Sequence, residues 1–96
     1  MTLCKAILIA KKDCKNPYCQ TYLHAIPLAI EESRHMFGNP VTGLRTQLLY
    51  VVSNMTAWRG DNAKAVRACL KSYFPKYGKG TAKEITETEI RDLEIL

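Results

Sequence analysis

The strongest constraint on the fold is the apolar pattern between Leu44 and Phe74, which repeats with the period of an α-helix. Apolar residues recur at three- and four-residue intervals in two runs, one on each side of Arg59-Gly60-Asp61, and this spacing is typical of helices that bury one face. Gly60 favours the end of the first helix, and Asp61 favours a cap on the second. The pattern predicts a helical hairpin over about 40–58 and 61–74. Its apolar residues are Leu44, Leu48, Val51, Val52, Met55 and Trp58, then Ala63, Val66, Leu70, Tyr73 and Phe74.

Proline and glycine signals organise the chain before the hairpin. Asn16-Pro17 and Asn39-Pro40 both favour a helix start, because Asn caps a helix and Pro fits its first position. Pro27 removes a helical hydrogen bond, so we expect a break near residues 24–26 and a second helical piece from Pro27 to Phe37. Gly38 favours the end of that piece.

Both ends of the chain are expected to form short elements. Leu3 to Ala10 is an apolar run that favours a buried strand, with a helix as the alternative, followed by a loop over residues 11–16. Such a strand has no evident partner in the chain, and pairing with a second copy in a homodimer would provide one. Thr86 and Glu89 form a capping-box pattern, which predicts a short helix from about residue 87 to 95. The sequence thus predicts a mainly α, small helical bundle built on the hairpin, with the N-terminal strand as an open alternative.

Charge is unevenly distributed along the 96 residues, whose formal net charge is +5. Residues 1–80 hold 12 Lys and Arg against 4 Asp and Glu, whereas residues 81–96 hold 2 against 5. We therefore expect a basic helical domain over 1–80 and an acidic C-terminal helix over 81–96 that packs on it or extends as a tail. An apolar fraction of 47% excludes a disordered chain. No run approaches the ~20 apolar residues that span a membrane, and no secretory signal is evident, so we expect a cytoplasmic protein without membrane contact.

A basic stripe lies on the second hairpin helix, where Lys64, Arg67 and Lys71 share the face opposite the apolar residues. One interpretation is a contact surface for phosphates or for an acidic protein, with aromatic anchors beside it. The other is a solvated face that keeps the domain soluble. The candidate binding residues are Trp58, Arg59, Lys64, Arg67, Lys71, Lys76, Tyr77 and Lys79.

The hairpin is also similar to the helix-turn-helix of DNA-binding proteins, whose second helix enters the major groove. Its exposed residues would contact phosphates and guanines. However, Asp61 occupies a position where an apolar residue should pack between the helices, and a plain helical hairpin explains the same pattern. The residues expected to face the DNA are Asn62, Lys64, Arg67, Ala68 and Lys71.

Cys14 and Cys19, followed by His24 and His35, carry the donor atoms that zinc prefers. The spacing departs from structural zinc sites, because ten residues separate the two histidines where three to five are usual. The cysteine pair could instead form a redox disulfide, although reactive pairs are typically separated by two residues rather than four. Two loop thiols and two ordinary helix histidines remain the alternative, and no cofactor is predicted. Cys14, Cys19 and His24 are the candidate metal ligands.

The sequence contains no Gly-rich phosphate loop and no carboxylate pair beside an evident cleft, so it predicts a protein that is not an enzyme. The leading hypothesis is a small regulatory protein, an inhibitor or adaptor, that docks its basic hairpin on an acidic protein of nucleic-acid metabolism. The alternatives are direct DNA or RNA binding and a small cysteine-dependent metal or redox module. Small size, a basic body and the lack of catalytic motifs resemble accessory proteins that phages and plasmids encode to act on a host machine.

Overall fold

The computed structural model describes residues 1–74 and 82–96 and forms a bundle of short helices. The described ranges contain six helices and no strand, which confirms the mainly α bundle. The helices are α1 (Leu3–Asp13), α2 (Pro17–His24), α3 (Ile26–Phe37), α4 (Val41–Ser53), α5 (Asp61–Lys71) and α6 (Glu87–Glu94).

Capping side chains start the helices where the sequence predicts. The Asn16 side chain accepts hydrogen bonds from the backbone N–H groups of Tyr18 and Cys19, at 2.9 and 3.1 Å. Thr86 and Glu89 form the predicted capping box at the start of α6. Each cap satisfies backbone donors that have no partner within the helix.

The predicted break at Pro27 and the predicted end at Gly38 are both confirmed. α2 ends at His24 and α3 begins at Ile26, with Pro27 inside the first turn, where its missing N–H costs nothing. Gly38 has a φ of 73°, the left-handed conformation in which glycine commonly ends a helix.

Of the two structures considered for Leu3 to Ala10, the favoured strand is wrong and the helix alternative is correct, because these residues belong to α1. The helix buries Leu3, Ala6, Ile7 and Ala10, which recur at the spacing of one helical face. A helix also satisfies its own backbone hydrogen bonds, whereas a strand would need a partner. α1 continues to Asp13 into the expected loop, and the reason for a strand-paired homodimer disappears.

The hairpin differs from the expectation in where its helices end. α4 ends at Ser53 rather than near residue 58, because the Asn54 side chain donates to the Tyr50 carbonyl oxygen at 2.8 Å and competes with the helical pattern. Asn54 to Gly60 form a connection of seven residues between α4 and α5. Gly60 precedes α5 with a φ of 109°, so Asp61 is the first helical residue, and its predicted role as a cap is wrong.

A single core joins all six helices. α4 packs against α3, α2 and α5, whereas α5 packs mainly against α1, and α6 packs on α3 and α1. The acidic C-terminal helix therefore lies against the basic body through its apolar side. One fully buried residue from each helix, in chain order, is Ile7, Leu23, Ile30, Leu44, Leu70 and Leu93.

Candidate functional site

α1 and α5 lie side by side and run in opposite directions. Near the end of α1, the Asn62 side chain donates a hydrogen bond to the Asp13 carboxylate at 2.9 Å. At the other end, the Cys69 thiol lies 3.7 Å from the Met1 carbonyl oxygen. The two helices are therefore antiparallel neighbours, and Asn62 and Cys69 form the side of α5 that faces α1.

Exposed cations lie on both helices. Lys5 and Lys12 lie two turns apart on α1, and Lys64 and Lys71 lie two turns apart on α5. Arg59, also exposed, lies in the connection just before α5. We call these five residues the basic surface. The salt bridges between described residues lie elsewhere, at Arg34–Glu94 and Arg91–Glu87.

Sequence reasoning missed the contribution of α1 because it treated this segment as a strand and a loop. The usable signal was the helical spacing of its buried residues, which places Lys5 and Lys12 together on the opposite face. Leu8 lies between these lysines and is 49% exposed, and Ile9 beside it is half-buried. The basic surface therefore includes an apolar centre that the sequence did not predict.

Arg67 does not point outward with Lys64 and Lys71. Its guanidinium donates to the carbonyl oxygens of Met55 at 3.1 Å and Trp58 at 2.7 Å, and the side chain is half-buried. The Met55 carbonyl also accepts from the Trp58 backbone N–H at 3.1 Å, and Arg67 adds a donor to it and to the Trp58 carbonyl within the non-helical connection. Its first role in this structure is to hold the connection on α5.

Trp58 is half-buried against the core, and Arg59 beside it is exposed. Both line a cavity of about 260 Å³ between the connection and the turn after α1, together with Cys14 and Lys15. Trp58 is thus largely a packing residue with one accessible edge at this cavity. The other sequence-predicted candidates, Lys76, Tyr77 and Lys79, lie outside the described residues.

The geometry of α4 and α5 gives little support to the helix-turn-helix alternative. DNA-reading motifs join their helices by a turn of three or four residues, whereas seven residues connect α4 and α5. Among the expected DNA contacts, Asn62 is bonded to Asp13 and Arg67 to the connection. Lys64, Ala68 and Lys71 remain exposed on α5.

Cys14 and Cys19 are buried and reduced, and His24 lies on the surface with Nδ1 at 2.8 Å from the Gln20 carbonyl oxygen. Burial raises the pKa of the Cys19 thiol to about 12, and the neighbouring Cys14 thiol acts in the same direction. The thiol therefore stays protonated at neutral pH, which disfavours nucleophilic or metal-binding chemistry. Across residues 1–74 and 82–96, the structure brings together no three His, Cys, Asp or Glu residues that could hold a metal ion.

The acidic residues of α6 are engaged away from Lys64 and Lys71. Glu94 pairs with Arg34 on α3, and Glu89 accepts a hydrogen bond from the Tyr73 hydroxyl at 2.6 Å. Partial burial would raise the pKa of Glu89, but hydrogen bonds from Thr86 and Tyr73 outweigh it and hold that pKa below its usual value. The burial of Tyr73 and its bond to Glu89 raise the pKa of the tyrosine.

Comparison with known proteins yields no matching family model, no matching curated protein and no matching solved structure. None of the described helices has the length and apolar character needed to cross a bilayer. The basic surface, with its apolar centre at Leu8, is the feature of the described chain from which a function can be argued.

Proposed function

We propose that this protein is a non-enzymatic binding protein that docks its basic surface on an acidic surface of another protein. The observation that carries the proposal is the set of exposed lysines on two adjacent helices, Lys5, Lys12, Lys64 and Lys71, with no described carboxylate paired to them. Unpaired cations on one face steer an acidic partner towards that face and fix its orientation. A regulatory role, as inhibitor or adaptor of a protein that handles nucleic acid, follows from this charge.

The apolar centre favours a protein partner over a phosphate backbone. Leu8 and Ile9 lie between Lys5 and Lys12 along α1. They line an open, mainly apolar depression of about 560 Å³, whose other lining residues are Thr2, Cys4, Lys5, Lys12 and Asp92 of α6. An apolar patch surrounded by charge is the usual arrangement of a protein interface, in which the centre is desolvated and the rim stays polar. Binding to the nucleic-acid backbone rests on phosphate contacts and gains little from an exposed leucine.

Charge reversal on α5 tests the proposal directly. The double variant Lys64→Glu and Lys71→Glu should lose at least about tenfold in affinity for the partner, because placing like charges opposite each other costs several kcal/mol. Arg67 is left unchanged, since its loss would disturb the connection. Arg91→Glu is the control for Lys64→Glu, because both residues are exposed on helices and each change alters the net charge equally.

The readout is capture from nuclease-treated lysate by the tagged wild-type protein and each variant, with quantitative mass spectrometry. The proposal predicts a protein that is retained by wild type and by Arg91→Glu, retained less by Lys64→Glu, and lost with the double variant. Equal retention by Lys64→Glu and Arg91→Glu, or by the double variant and wild type, would contradict it. Direct titration with a short DNA duplex at several salt concentrations covers the alternative, since nucleic-acid binding weakens steeply as salt rises.

A further inference from the structure

The cavity of about 260 Å³ beside Trp58 combines an apolar lining with polar side chains of one kind. It lies between the α4–α5 connection and the turn after α1, and most of its lining is apolar, with Cys14 and Trp58 among the residues that form it. Ligand pockets typically have this composition, in which a few polar groups at the edge fix the orientation of the ligand. The polar residues that line the cavity are Asp13, Lys15, Asn16 and Arg59.

The hydrogen-bond acceptors around the cavity are already occupied by groups of the protein. The Gln20 side chain donates to three carbonyl oxygens at the end of α1, and the Lys15 ammonium donates to the Lys12 carbonyl oxygen at 3.2 Å. The Asp13 carboxylate accepts from the Asn62 side chain at 2.9 Å. A ligand that donates hydrogen bonds therefore meets few acceptors at this place.

The donors around the cavity are, by contrast, largely unused. Arg59 is exposed and forms no ion pair or side-chain hydrogen bond with any described residue. The Trp58 indole N–H likewise has no hydrogen-bond partner within residues 1–74 and 82–96, although such groups usually have one when they are buried. Asn16 uses its side-chain oxygen to cap α2, which leaves its NH₂ group without a partner in the described chain. Lys15 keeps further donors beyond the one that Lys12 accepts.

We propose that this cavity binds a small phosphate monoester with an apolar or aromatic body. A phosphate monoester carries a charge of about −1.5 to −2 at pH 7 and three strong acceptor oxygens, which complements a lining that offers donors and two cations. The Arg59 guanidinium binds phosphate oxygens through two parallel N–H groups, and Lys15 adds a second positive charge. The apolar part of the ligand packs against Trp58 and Cys14, away from water.

The size of the cavity indicates which phosphate esters fit. Its volume lies just below the ~300–1,000 Å³ of typical ligand pockets. Since one water molecule occupies about 30 Å³ of liquid, an inorganic phosphate ion would leave most of the cavity unfilled. A compound of the size of a nucleoside monophosphate fills it better. Because the site is open to solvent and its cations are exposed, we expect a Kd on the order of 0.1–1 mM.

Trp58 is the single tryptophan of the chain, so its fluorescence reports directly on the cavity. We would titrate the full chain with adenosine 5′-monophosphate at physiological salt, with excitation at wavelengths where the nucleotide does not absorb. A saturable change in intensity or emission maximum is expected. Adenosine and inorganic phosphate, titrated separately, should each bind at least about tenfold more weakly, because each lacks one of the two recognised parts.

Substitution of Arg59 identifies the group that binds the phosphate. Arg59→Ala should weaken binding at least about tenfold, because it removes charge-assisted hydrogen bonds. Arg91→Ala is the matched control, since Arg91 is also an exposed arginine and its loss lowers the net charge equally. It should change the Kd by less than about twofold, because salt screens distant charges.

Trp58→Phe keeps an aromatic ring in the lining and removes the indole N–H. Calorimetric titration of this variant should show binding weakened by about threefold to tenfold, in line with the loss of one hydrogen bond to a charged group. The measurement does not depend on fluorescence, so it also checks that the signal in the wild type comes from occupancy of the cavity. Circular dichroism on each variant confirms that the helices are intact.

Several outcomes would overturn the proposal. These are the absence of a saturable signal up to about 10 mM nucleotide, equal binding of adenosine and its monophosphate, equal binding of inorganic phosphate and the monophosphate, or equal weakening by Arg59→Ala and Arg91→Ala. A 5′-phosphorylated oligonucleotide that binds at least about tenfold more tightly than the monophosphate would assign the cavity to a nucleic-acid interface instead. The titrations need no protein partner, so this inference and the proposed function can fail independently.

Discussion

The α1–α5 side and the α2–α4 side of the molecule bury the same kind of apolar residue but differ in what they expose. Both helix pairs contribute fully buried aliphatic side chains to one core, for example Ile7 and Leu70 on one side and Leu23 and Leu44 on the other. Outward, the first side presents unpaired lysines, whereas the second presents tyrosines and hydroxyls without charge. The shared core therefore determines the fold, whereas the difference in surface charge determines which kind of molecule each side can bind.

The cations also divide into inward and outward ones, and the two inward examples are arginines. Arg45 and Arg67 both turn inward and donate to backbone carbonyls at helix ends or in the connection, while Lys64 and Lys71 stay exposed. Arginine suits the inward role because its planar guanidinium presents several donors in a fixed geometry, whereas a lysine ammonium is strongly hydrated. All four residues contribute the same charge to the sequence. In the structure, the two arginines stabilise the fold, whereas the two lysines face solvent.

The largest expected effect comes from removing an inward arginine. Arg67→Ala removes two charge-assisted hydrogen bonds, one to the Met55 carbonyl, which keeps its bond from the Trp58 N–H, and one to the Trp58 carbonyl, and we expect the free energy of unfolding to fall by about 2–3 kcal/mol. Lys64→Ala, one turn earlier on α5, should change it by less than about 0.5 kcal/mol. Urea unfolding followed by circular dichroism measures both. Equal losses for the two variants would remove the distinction between inward and outward cations.

On the other side, the position of α4 depends on a close backbone contact with α3. A Cβ atom at Gly43 would lie 2.6 Å from Cβ of Ser33, whose hydroxyl also accepts a hydrogen bond from the Gly43 N–H at 2.8 Å. Gly43→Ala must push the helices apart, and we expect a loss of about 1–3 kcal/mol. Thr46→Ala, exposed one turn later, is the control and should cost less than about 0.5 kcal/mol. Unchanged stability of Gly43→Ala would show that α4 can shift without cost.

Much of this fold follows from local rules in the sequence. Asn16, Pro27, Gly38 and the capping box at Thr86 act within one helical turn, so the sequence alone located the helix boundaries that they set. The secondary structure of the N-terminal segment could not be predicted in this way, because an eight-residue apolar run fits a strand or a helix equally well. The choice depends on which neighbours cover it, and α5 and α6, far along the chain, provide that cover.

The site was less predictable than the fold, because it depends on contacts between distant residues. The inward turn of Arg67 depends on where α4 ends, and that depends on the side chain of Asn54. The rings of Tyr22 and Tyr50 meet between α2 and α4, and no local pattern links residues so far apart. Aromatic residues in a small helical protein are most simply assigned to the core, yet Tyr18 and Tyr50 are exposed.

A smaller effect on stability is expected from Glu89 of α6, which accepts a hydrogen bond from Tyr73, two residues after the end of α5. Because the pKa of Glu89 lies below that of an unfolded glutamate near 4.3, its contribution is complete above that pH and is lost as pH falls through the lower folded value. Glu89→Gln should lower stability by about 1 kcal/mol near pH 7 and flatten the acid limb of the stability profile. Glu87→Gln, on the exposed side of α6, is the control and should lower stability near pH 7 by less than about 0.5 kcal/mol. An acid limb that is identical in wild type and Glu89→Gln would contradict the assignment.

The four thiols give the smallest effect on stability and a direct comparison of the two sides. Cys4 and Cys69 lie half-buried on the α1–α5 side, whereas Cys14 and Cys19 are almost completely buried around α2. An alkylating reagent at pH 8 should modify the first pair in the native protein and the second pair only after unfolding. Burial raises the pKa of Cys19 to about 12, so its protonated thiol supports the fold below about pH 8.5, and this support is lost as pH rises towards 12.

Mass spectrometry of peptides from partly labelled protein measures this order, and a thiol count in denaturant provides the total of four free groups. Labelling the half-buried pair should change the free energy of unfolding by less than about 0.5 kcal/mol, since these thiols lie at the edge of the core. If Cys14 and Cys19 react as fast as Cys4 and Cys69, the turn between α1 and α2 opens readily. The α2–α4 side would then be the less stable of the two.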